Sequence, residues 1–209
     1  MQLKITIMLI DHFIENFSKT FTNLSPSEPW NITNDLKAII EKMILNLGDD
    51  YIIQDNIAIH KSATIENNVT IKKPAIIGKN CYISANAYFR EGVYLDQSVK
   101  IGLGCEIKSS IICSNTAIAH FNYIGNSIIG RNINFEAGSI AANHYNERAN
   151  KKISVLYDAK IIETNSDKFG SLVGDNSRIG ANAVLSPVTI LVKNSIVKRL
   201  ELIEQVVLE

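Results

Sequence analysis

The chain has 209 residues, of which 46% are apolar, 7% aromatic and 20% charged. This length and apolar content predict one compact domain with a sizeable core. Twenty-one basic and 21 acidic residues leave no net charge, which argues against sequence-independent nucleic-acid binding. No apolar run approaches the roughly 20 residues that are needed to cross a bilayer.

The compartment is predicted from the N-terminus and the cysteines. Residues 1–17 contain one lysine, a short apolar stretch and then Asp11, which is a poor match to a signal peptide. Cys81, Cys105 and Cys113 form no C-x-x-C pair, and their odd number argues against a disulfide framework. We therefore expect a cytoplasmic protein with reduced thiols and with neither a membrane nor a nucleic-acid partner.

Residues 1–55 predict an N-terminal helical cap. Residues 4–20 have loose helical spacing, and the two prolines of SPSEPW then break the chain. A second amphipathic segment follows, capped by Thr33 or Asn34 and ended by Gly48. Because the open end of a repeat structure must be shielded, we expect these helices to cover the first coil of the repeat that follows.

From residue 56 to about 200 the sequence repeats every six residues. One position of each hexad is large and apolar, and the position two residues earlier is apolar and mostly small or β-branched. The large series begins with Ile59, Ile65, Ile71, Ile77, Ile83, Phe89, Leu95, Ile101 and Ile107. Residues two apart point to the same side of an extended strand, so short strands are predicted to wrap around a prism. A β-sandwich would not keep register over nine hexads.

The period slips twice and is interrupted once. One residue is missing after Ile107 and another after Ile124, and the pattern is lost at about 144–170 before it resumes. We therefore expect a β-helix at 56–200 with a loop excursion at 144–170, followed by a C-terminal tail at 201–209.

Glycine and asparagine recur near the large hexad residues. Both residue types suit tight corners that require a positive φ. The positions are Gly78, Gly102, Gly125, Gly130, Gly174 and Gly180, with Asn80, Asn132 and Asn176 nearby.

The hexad array resembles the left-handed parallel β-helix of the hexapeptide-repeat acyltransferases. The resemblance implies three hexads per coil, so that residues 18 apart stack on coils about 4.8 Å apart. The left-handed winding also comes from the resemblance, because general connection chirality favours the opposite hand. The predicted fold is an all-β solenoid with a short N-terminal helical segment.

Arg90 and Lys108 each follow the large residue of a hexad and are 18 residues apart, so we expect them to stack. Two cations this close repel each other unless an anion bridges them or acidic neighbours screen them. The spacing is equally compatible with a phosphate site and with a pair of solvated surface cations.

His120 lies two residues after Ile118, and Ala137 occupies the equivalent position one coil later. An imidazole can accept a proton at neutral pH, and a backbone amide beside it can hold an oxyanion. A hydrogen-bonded surface histidine is the alternative. The histidines are not clustered as a zinc site requires, so no metal site is predicted.

Longer motifs make the resemblance specific. The stretch AHFNYIGNSIIGRNINFEAGSIAAN at 119–143 is similar to the acetyltransferase half of the bifunctional enzymes that make UDP-N-acetylglucosamine. The similarity extends to NAYFREG at 86–92, GCEIKSS at 104–110 and DKFGSLVGDNSRIGANAVLSPVTI at 167–190. That half is a homotrimeric glucosamine-1-phosphate N-acetyltransferase that uses acetyl-CoA.

The resemblance implies a role for each matching residue. Arg90 and Lys108 match ligands of the sugar phosphate, His120 matches the general base, and the amide of Ala137 matches an oxyanion donor. The remaining matches are Tyr123, Asn134, Asn143 and Lys168 for the substrate, and Ala181, which replaces a serine, for the coenzyme.

These matches imply an acyltransferase that uses acetyl-CoA or acyl-CoA and acts on an amino-sugar phosphate or a nucleotide sugar, with His120 as general base. The alternative is a non-catalytic β-helix that binds a sugar phosphate or nucleotide sugar. Ala181 and the few coils after Val197 favour this alternative, and Glu136 is a further departure, since it stands in place of a glycine. A purely structural solenoid would leave the retained polar residues unexplained.

Overall fold

The computed structural model describes residues 10–22 and 27–205, so the ends of the predicted first helix and of the tail lie outside the described residues. The helices are a 3₁₀ turn at Ile10–His12, α1 (Phe17–Thr20), α2 (Pro29–Asn34) and α3 (Leu36–Ile44). The strands are β1 (Tyr51–Gln54), β2 (Ile57–His60), β3 (Thr64–Ile65), β4 (Thr70–Ile71), β5 (Ala75–Ile77), β6 (Tyr82–Ile83), β7 (Tyr88–Leu95), β8 (Lys100–Ile101), β9 (Glu106–Ile112), β10 (Ala117–Ile118), β11 (Tyr123–Gly125), β12 (Ile128–Ile129), β13 (Asn134–Phe135), β14 (Ile140–Ala141), β15 (Ser154–Tyr157), β16 (Lys160–Glu163), β17 (Ser171–Val173), β18 (Arg178–Ile179), β19 (Val184–Leu185), β20 (Thr189–Leu191), β21 (Ile196–Val197) and β22 (Leu202–Ile203).

The strands form a left-handed parallel β-helix, as the hexads and the resemblance predicted. Within the described ranges, a 13-stranded sheet and a seven-stranded sheet carry the coils. Thr64 pairs with Tyr82, 18 residues later, and Ala117 pairs with Asn134, 17 residues later. The stacking distance along the chain therefore shortens by one residue where the sequence slips.

The large hexad residues fill the axis of the prism. Phe89, Ile107, Ile124 and Phe135 are fully buried, and so is Cys105, a small residue two positions before Ile107. Burial of a continuous apolar column is the main favourable contribution to folding. This is why the six-residue pattern predicts short strands wrapped around a prism, whereas the left-handed winding was implied by the resemblance.

Asparagine and glycine serve different purposes at the corners. The left-handed backbone is found at asparagines, for example at Asn80, where φ is 56°. Gly78 does not have a positive φ; a Cβ there would lie 2.7 Å from the carbonyl oxygen of Leu95 on the next coil. The prediction that this glycine supplies a positive φ was therefore wrong, because what the position requires is close approach of two coils.

Both slips and the excursion occur at the same corner. The corner between Phe89 and Leu95 has one residue more than the next two corners above it, and the register of β7 and β9 shifts there. The shorter corners have left-handed residues at Ser109 (φ 47°) and Asn126 (φ 45°). The excursion ends at this corner, where the Gly170 amide donates to the Asn126 carbonyl.

The N-terminal helices pack against one side of the β-helix. On this side the outward-facing residue that directly precedes the axial residue of each strand is apolar. These residues are Ile76, Tyr94, Ile111, Ile128, Leu172 and Ile190, and they form one cluster with Ile14, Trp30, Leu36 and Ile40. The structure thus differs from the expected lid over the first coil, because the apolar surface that needs cover lies along this side.

The boundaries of the N-terminal and C-terminal segments also differ from those expected. Thr33 and Asn34 end α2 rather than cap α3. Strand β1 lies inside the segment predicted as a helical cap and pairs antiparallel with β2. At the other end, β22 pairs with β19 and continues the β-helix beyond residue 200.

The excursion at 144–170 folds back onto its own chain. Strands β15 and β16 pair antiparallel, and Val155 and Phe169 are fully buried in the cluster that contains the N-terminal helices. Asn34 Nδ2 donates to Ser166 Oγ at 3.0 Å and so joins the two covering segments. The N-terminal helices and the excursion together pack on one side of the β-helix. This side begins at the corner where the repeat is one residue short on two coils.

Candidate functional site

Arg90 and Lys108 lie side by side at the corner from which the excursion leaves the β-helix. Arg90 in β7 pairs in register with Lys108 in β9, as the 18-residue spacing predicted. Lys168, at the end of the excursion, is close enough for its charge to act on Lys108. We refer to Arg90, Glu91, Lys108 and Lys168 as the cation corner.

Two carboxylates neutralise part of the charge of the cation corner. Glu91 accepts a hydrogen bond from Arg90 Nη1 at 2.8 Å and lies 3.4 Å from Lys108 Nζ, so this carboxylate spans both cations. Glu106 accepts from Arg90 Nε on the same guanidinium at 2.7 Å. Two stacked cations repel each other, and the carboxylates of Glu91 and Glu106 reduce this repulsion.

Lys108 is buried, with 7% of its side chain exposed. Burial lowers the pKa of Lys108, Glu91 acts in the opposite direction, and the charges of Lys168 and Arg90 lower it further. Burial would raise the pKa of Glu91, but the charges of Lys108, Arg90 and Lys37 outweigh it, so this pKa is lowered. Three cations (Arg90, Lys108 and Lys168) against two carboxylates (Glu91 and Glu106) leave a formal excess of one positive charge at this corner.

Tyr123 and Asn143 lie beside the cation corner. Burial raises the pKa of Tyr123, Glu106 raises it further and Arg90 opposes the shift, and the Asn143 side chain is within hydrogen-bonding reach of its hydroxyl. Asn143 is 3% exposed, and its Nδ2 donates to Asn126 Oδ1 at 2.6 Å. The structure thus brings together these predicted substrate residues: Arg90, Lys108, Tyr123, Asn143 and Lys168.

His120 lies at the preceding corner, between β10 of the seven-stranded sheet and β11 of the 13-stranded sheet. Its side chain is exposed, and within residues 10–22 and 27–205 its ring forms no hydrogen bond. Phe121 beside it has φ of 55° and is 65% exposed. The Gly138 amide donates to the His120 carbonyl at 2.9 Å, which stacks Ala137 on His120 as predicted. We refer to His120, Phe121, Ala137 and Ala181 as the histidine corner.

At this corner of the β-helix, glutamate side chains accept hydrogen bonds from the backbone amides of two coils. Glu66 accepts from the Ala85 amide at 2.7 Å, and Glu136 accepts from the Ala181 amide at 2.9 Å. Glu136 also pairs with Arg199 at 2.8 Å. The amide at the predicted coenzyme contact is therefore already bonded within the chain.

The amide of Ala137 has no such cover. The residue that corresponds to Glu66 and Glu136 on the coil below is Ala119, whose methyl group cannot accept a hydrogen bond. In the part of the chain that the structure describes, the Ala137 amide donates to no protein acceptor. A free donor consequently lies one coil from the His120 backbone.

Asn134 lies away from the cation corner. It is exposed in β13, where it is in register with Ala117 of β10 and Arg178 of β18. With Glu136, Arg178 and Arg199 it lines an open groove of about 460 Å³. The structure therefore separates Asn134 from the other predicted substrate residues.

The remaining predictions concern the cysteines, metal binding and membrane contact. The three cysteines are free and buried, and burial raises the pKa of Cys81 to about 11, which disfavours a thiolate. Among the described residues, no group of three or more His, Cys, Asp or Glu side chains could hold a metal ion. No described helix is long and apolar enough to cross a membrane.

Known proteins share this repeat. The sequence profile described as the hexapeptide repeat of succinyl-transferase matches residues 74–109 and 172–197. A bifunctional sugar-1-phosphate nucleotidylyltransferase/acetyltransferase of Sulfurisphaera tokodaii is 31% identical over 189 residues, which cover 88% of this chain and 46% of the relative. The bifunctional protein GlmU of Methanococcus vannielii is 36% identical over 175 residues, 81% of this chain and 41% of the relative.

The chain carries the hexapeptide repeat and is similar to part of these bifunctional proteins. It spans less than half the length of the bifunctional relatives described above. The resemblance found in the motifs is confirmed, whereas the role of each matching residue is a matter for proposal.

Two carboxylates of this hexapeptide-repeat protein were missed by the sequence analysis. Glu91 directly follows Arg90, and it occupies the corner that has one residue more than the next. Glu106 lies two residues before Lys108 and so on the same side of β9. The positions of both glutamates next to cations can be seen in the sequence. The spacing alone does not show which cation each carboxylate pairs with.

Proposed function

We propose that this chain transfers an acyl group from acyl-CoA, such as acetyl-CoA, to the amine of an amino-sugar phosphate. The observation that carries the proposal is the stacking of Arg90 on Lys108 with Lys168 beside them. Cations that converge at one partly buried corner suit the charge and the several acceptor oxygens of a phosphate. The name of the Sulfurisphaera tokodaii relative, which includes a sugar 1-phosphate and an acetyltransferase, supports this substrate class.

His120 is the general base in this proposal. The sugar amine attacks the thioester carbonyl carbon, His120 accepts a proton from the amine, and the C–S bond breaks as the C–N bond forms, so that CoA leaves as a thiolate. The uncovered amide of Ala137 donates to the carbonyl oxygen as negative charge develops there.

The cation corner supplies orientation. It lies at one end of β11, because Lys108 is in register with Gly125, and the histidine corner lies at the other end. A ligand held by its phosphate at the first corner can therefore present its amine toward the second. Holding the amine in place removes part of the entropic barrier to the reaction.

The proposed enzyme is a homotrimer. Apolar side chains are exposed around the histidine corner, including Leu103 (37% exposed), Phe121 (65%) and Leu200 (78%). A patch of this kind is typical of a protein interface. Light scattering is expected to give three times the mass of one chain, and a monomer at micromolar concentration would contradict this assembly.

A thiol-release assay tests the proposed activity. The purified chain is mixed with acetyl-CoA and a panel of acceptors: glucosamine 1-phosphate, galactosamine 1-phosphate and nucleotide-linked amino sugars. Acceptor-dependent release of CoA is the expected result. If no member of the panel releases thiol above the rate with acetyl-CoA alone, the acyltransfer proposal fails.

A non-catalytic sugar-phosphate binder is the second candidate, and one observation favours it. Glu136 occupies the Ala181 amide and is itself held by Arg199, so the predicted coenzyme contact is not open in this state. Titration calorimetry separates the two candidates. A binder takes up glucosamine 1-phosphate and gives no heat with acetyl-CoA, whereas the enzyme binds both.

A further inference from the structure

Glu91 is placed in the cation corner by the fold. Its corner has one residue more than those of the next two coils, and its backbone is left-handed, with φ of 59°. Gly92 follows with φ of 92°, and a Cβ at Gly92 would lie 3.2 Å from the Lys37 amide nitrogen at the start of α3. Helix α3 therefore packs directly on this corner and fixes where the Glu91 side chain begins.

The carboxylate of Glu91 is surrounded by cations. It lies 2.8 Å from Arg90 Nη1 and 3.4 Å from Lys108 Nζ, and the charge of Lys37 acts on it as well. Glu106 pairs with Arg90, but among the described residues only Glu91 forms ion pairs with both stacked cations. Glu91 thus occupies the space between them that a phosphate would take.

We propose that Glu91 is a resident anion that a phosphate must displace in order to bind Arg90 and Lys108 together. The inference rests on the proposed function only for the assignment of the phosphate site to the cation corner. Every ligand breaks the same Glu91 contacts, so Glu91 weakens the binding of all phosphates by the same factor.

A uniform loss of affinity leaves the preference for phosphate esters over inorganic phosphate unchanged, and it lowers the occupancy of the site by each ligand at a given concentration. Inorganic phosphate has only the cations to bind, so the displacement of Glu91 removes a large part of its binding free energy. An amino-sugar phosphate has further polar groups that Tyr123 and Asn143 can meet, and these contacts offset the loss. Glu91 therefore raises the concentration of inorganic phosphate that is needed to fill the site, while the ester, whose further contacts give it a higher affinity, fills the site at a lower concentration.

Titration calorimetry with inorganic phosphate and with glucosamine 1-phosphate tests this inference. Glu91→Gln removes the charge at nearly constant shape, and Glu91→Gly removes the side chain while suiting the left-handed backbone, so a folded variant is available if either one fails. Because charge-assisted contacts are lost from the free state, both variants are expected to bind both ligands about tenfold more tightly than the wild type. The factor is expected to be the same for the two ligands.

Several results would overturn the inference. Unchanged affinity for both ligands would show that Glu91 does not compete, and tighter inorganic phosphate with weaker glucosamine 1-phosphate would show that Glu91 binds the sugar. The control is Glu66→Gln, which removes a carboxylate from the Ala85 amide and is expected to change neither affinity. A tenfold gain in this control would mean a general charge effect and would also overturn the inference.

The thiol-release assay separates this inference from the proposed function. Tighter phosphate binding by the Glu91 variants with no CoA release from any acceptor leaves the inference standing and rejects acyl transfer. CoA release by the wild type with unchanged phosphate affinity in the variants does the reverse. If neither the wild type nor the variants bind phosphate, both proposals are rejected.

Discussion

The cation corner and the histidine corner are built in different ways. At the cation corner a buried lysine, an arginine and two carboxylates pair with one another, and helix α3 and the excursion pack around them. At the histidine corner His120 and Phe121 are exposed, and the Ala137 amide donates to no acceptor in the described ranges. The cation corner is thus held in place by ion pairs within the chain, whereas the histidine corner presents an exposed ring and a backbone amide that is not hydrogen-bonded within the described part of the chain.

The largest effect is expected at the histidine corner from His120→Ala. Loss of a general base slows turnover by about 10²- to 10⁴-fold, while calorimetric binding of glucosamine 1-phosphate at the other corner is preserved. His60→Ala, on an early coil where the ring contacts Ser62, is the matched control and retains full activity. An unaltered kcat in the His120 variant would remove this residue as the base.

Ala119→Glu is expected to give the next largest effect. It places on the coil below Ala137 the residue type that covers the amides of Ala85 and Ala181. Loss of an oxyanion donor costs about 10²- to 10³-fold in kcat, with little change in KM for the sugar. Ala119→Ser has a side chain too short to reach this amide and serves as control; equal rates for both variants would contradict the role of the amide.

Lys108→Met tests the role of the cation corner in binding the phosphosugar. The substitution keeps an apolar stem in the buried site and removes a charge-assisted hydrogen bond worth about 1.5–3 kcal/mol. We expect KM for the phosphosugar to rise about 10- to 100-fold with kcat much less affected. Lys100→Met, at the exposed position of β8 in the seven-stranded sheet, leaves KM unchanged. A loss of kcat alone in the Lys108 variant would place Lys108 in the chemistry instead.

Glu136→Ala is expected to have the smallest effect. It frees the Ala181 amide and Arg199 from the carboxylate that now holds them, so acetyl-CoA binding is expected to tighten a few-fold, as one modest competing hydrogen bond is removed. Glu66→Ala frees the Ala85 amide in the same way and is the matched control. Weaker acetyl-CoA binding in the Glu136 variant would show that this carboxylate assists the donor.

The sequence predicts the coils well and the packing around them poorly. The hexads fix which residues face the axis, since burial of Phe89 or Ile107 depends only on strand direction and period. The position of the helices depends on a different signal, the three consecutive apolar residues of strands such as Ala75–Ile77. Their middle residue faces outward, so an apolar residue there on one side of the prism marks the side that another segment covers.

The site could be predicted only in part for a similar reason. Regular spacing brings Arg90 onto Lys108 and Ala137 onto His120, because these contacts follow from the winding. Glu91 depends on one additional residue at a corner, and Lys168 returns from an excursion without a repeat. Contacts of this kind depend on irregular segments, which periodicity does not describe.

A crystal structure of the wild-type chain with glucosamine 1-phosphate would show whether the phosphate displaces Glu91. We expect phosphate oxygens about 2.7–2.9 Å from Arg90 and Lys108 nitrogens, with the Glu91 carboxylate moved away and the sugar amine toward His120. A phosphate bound elsewhere, with Glu91 still spanning the two cations, would contradict this expectation.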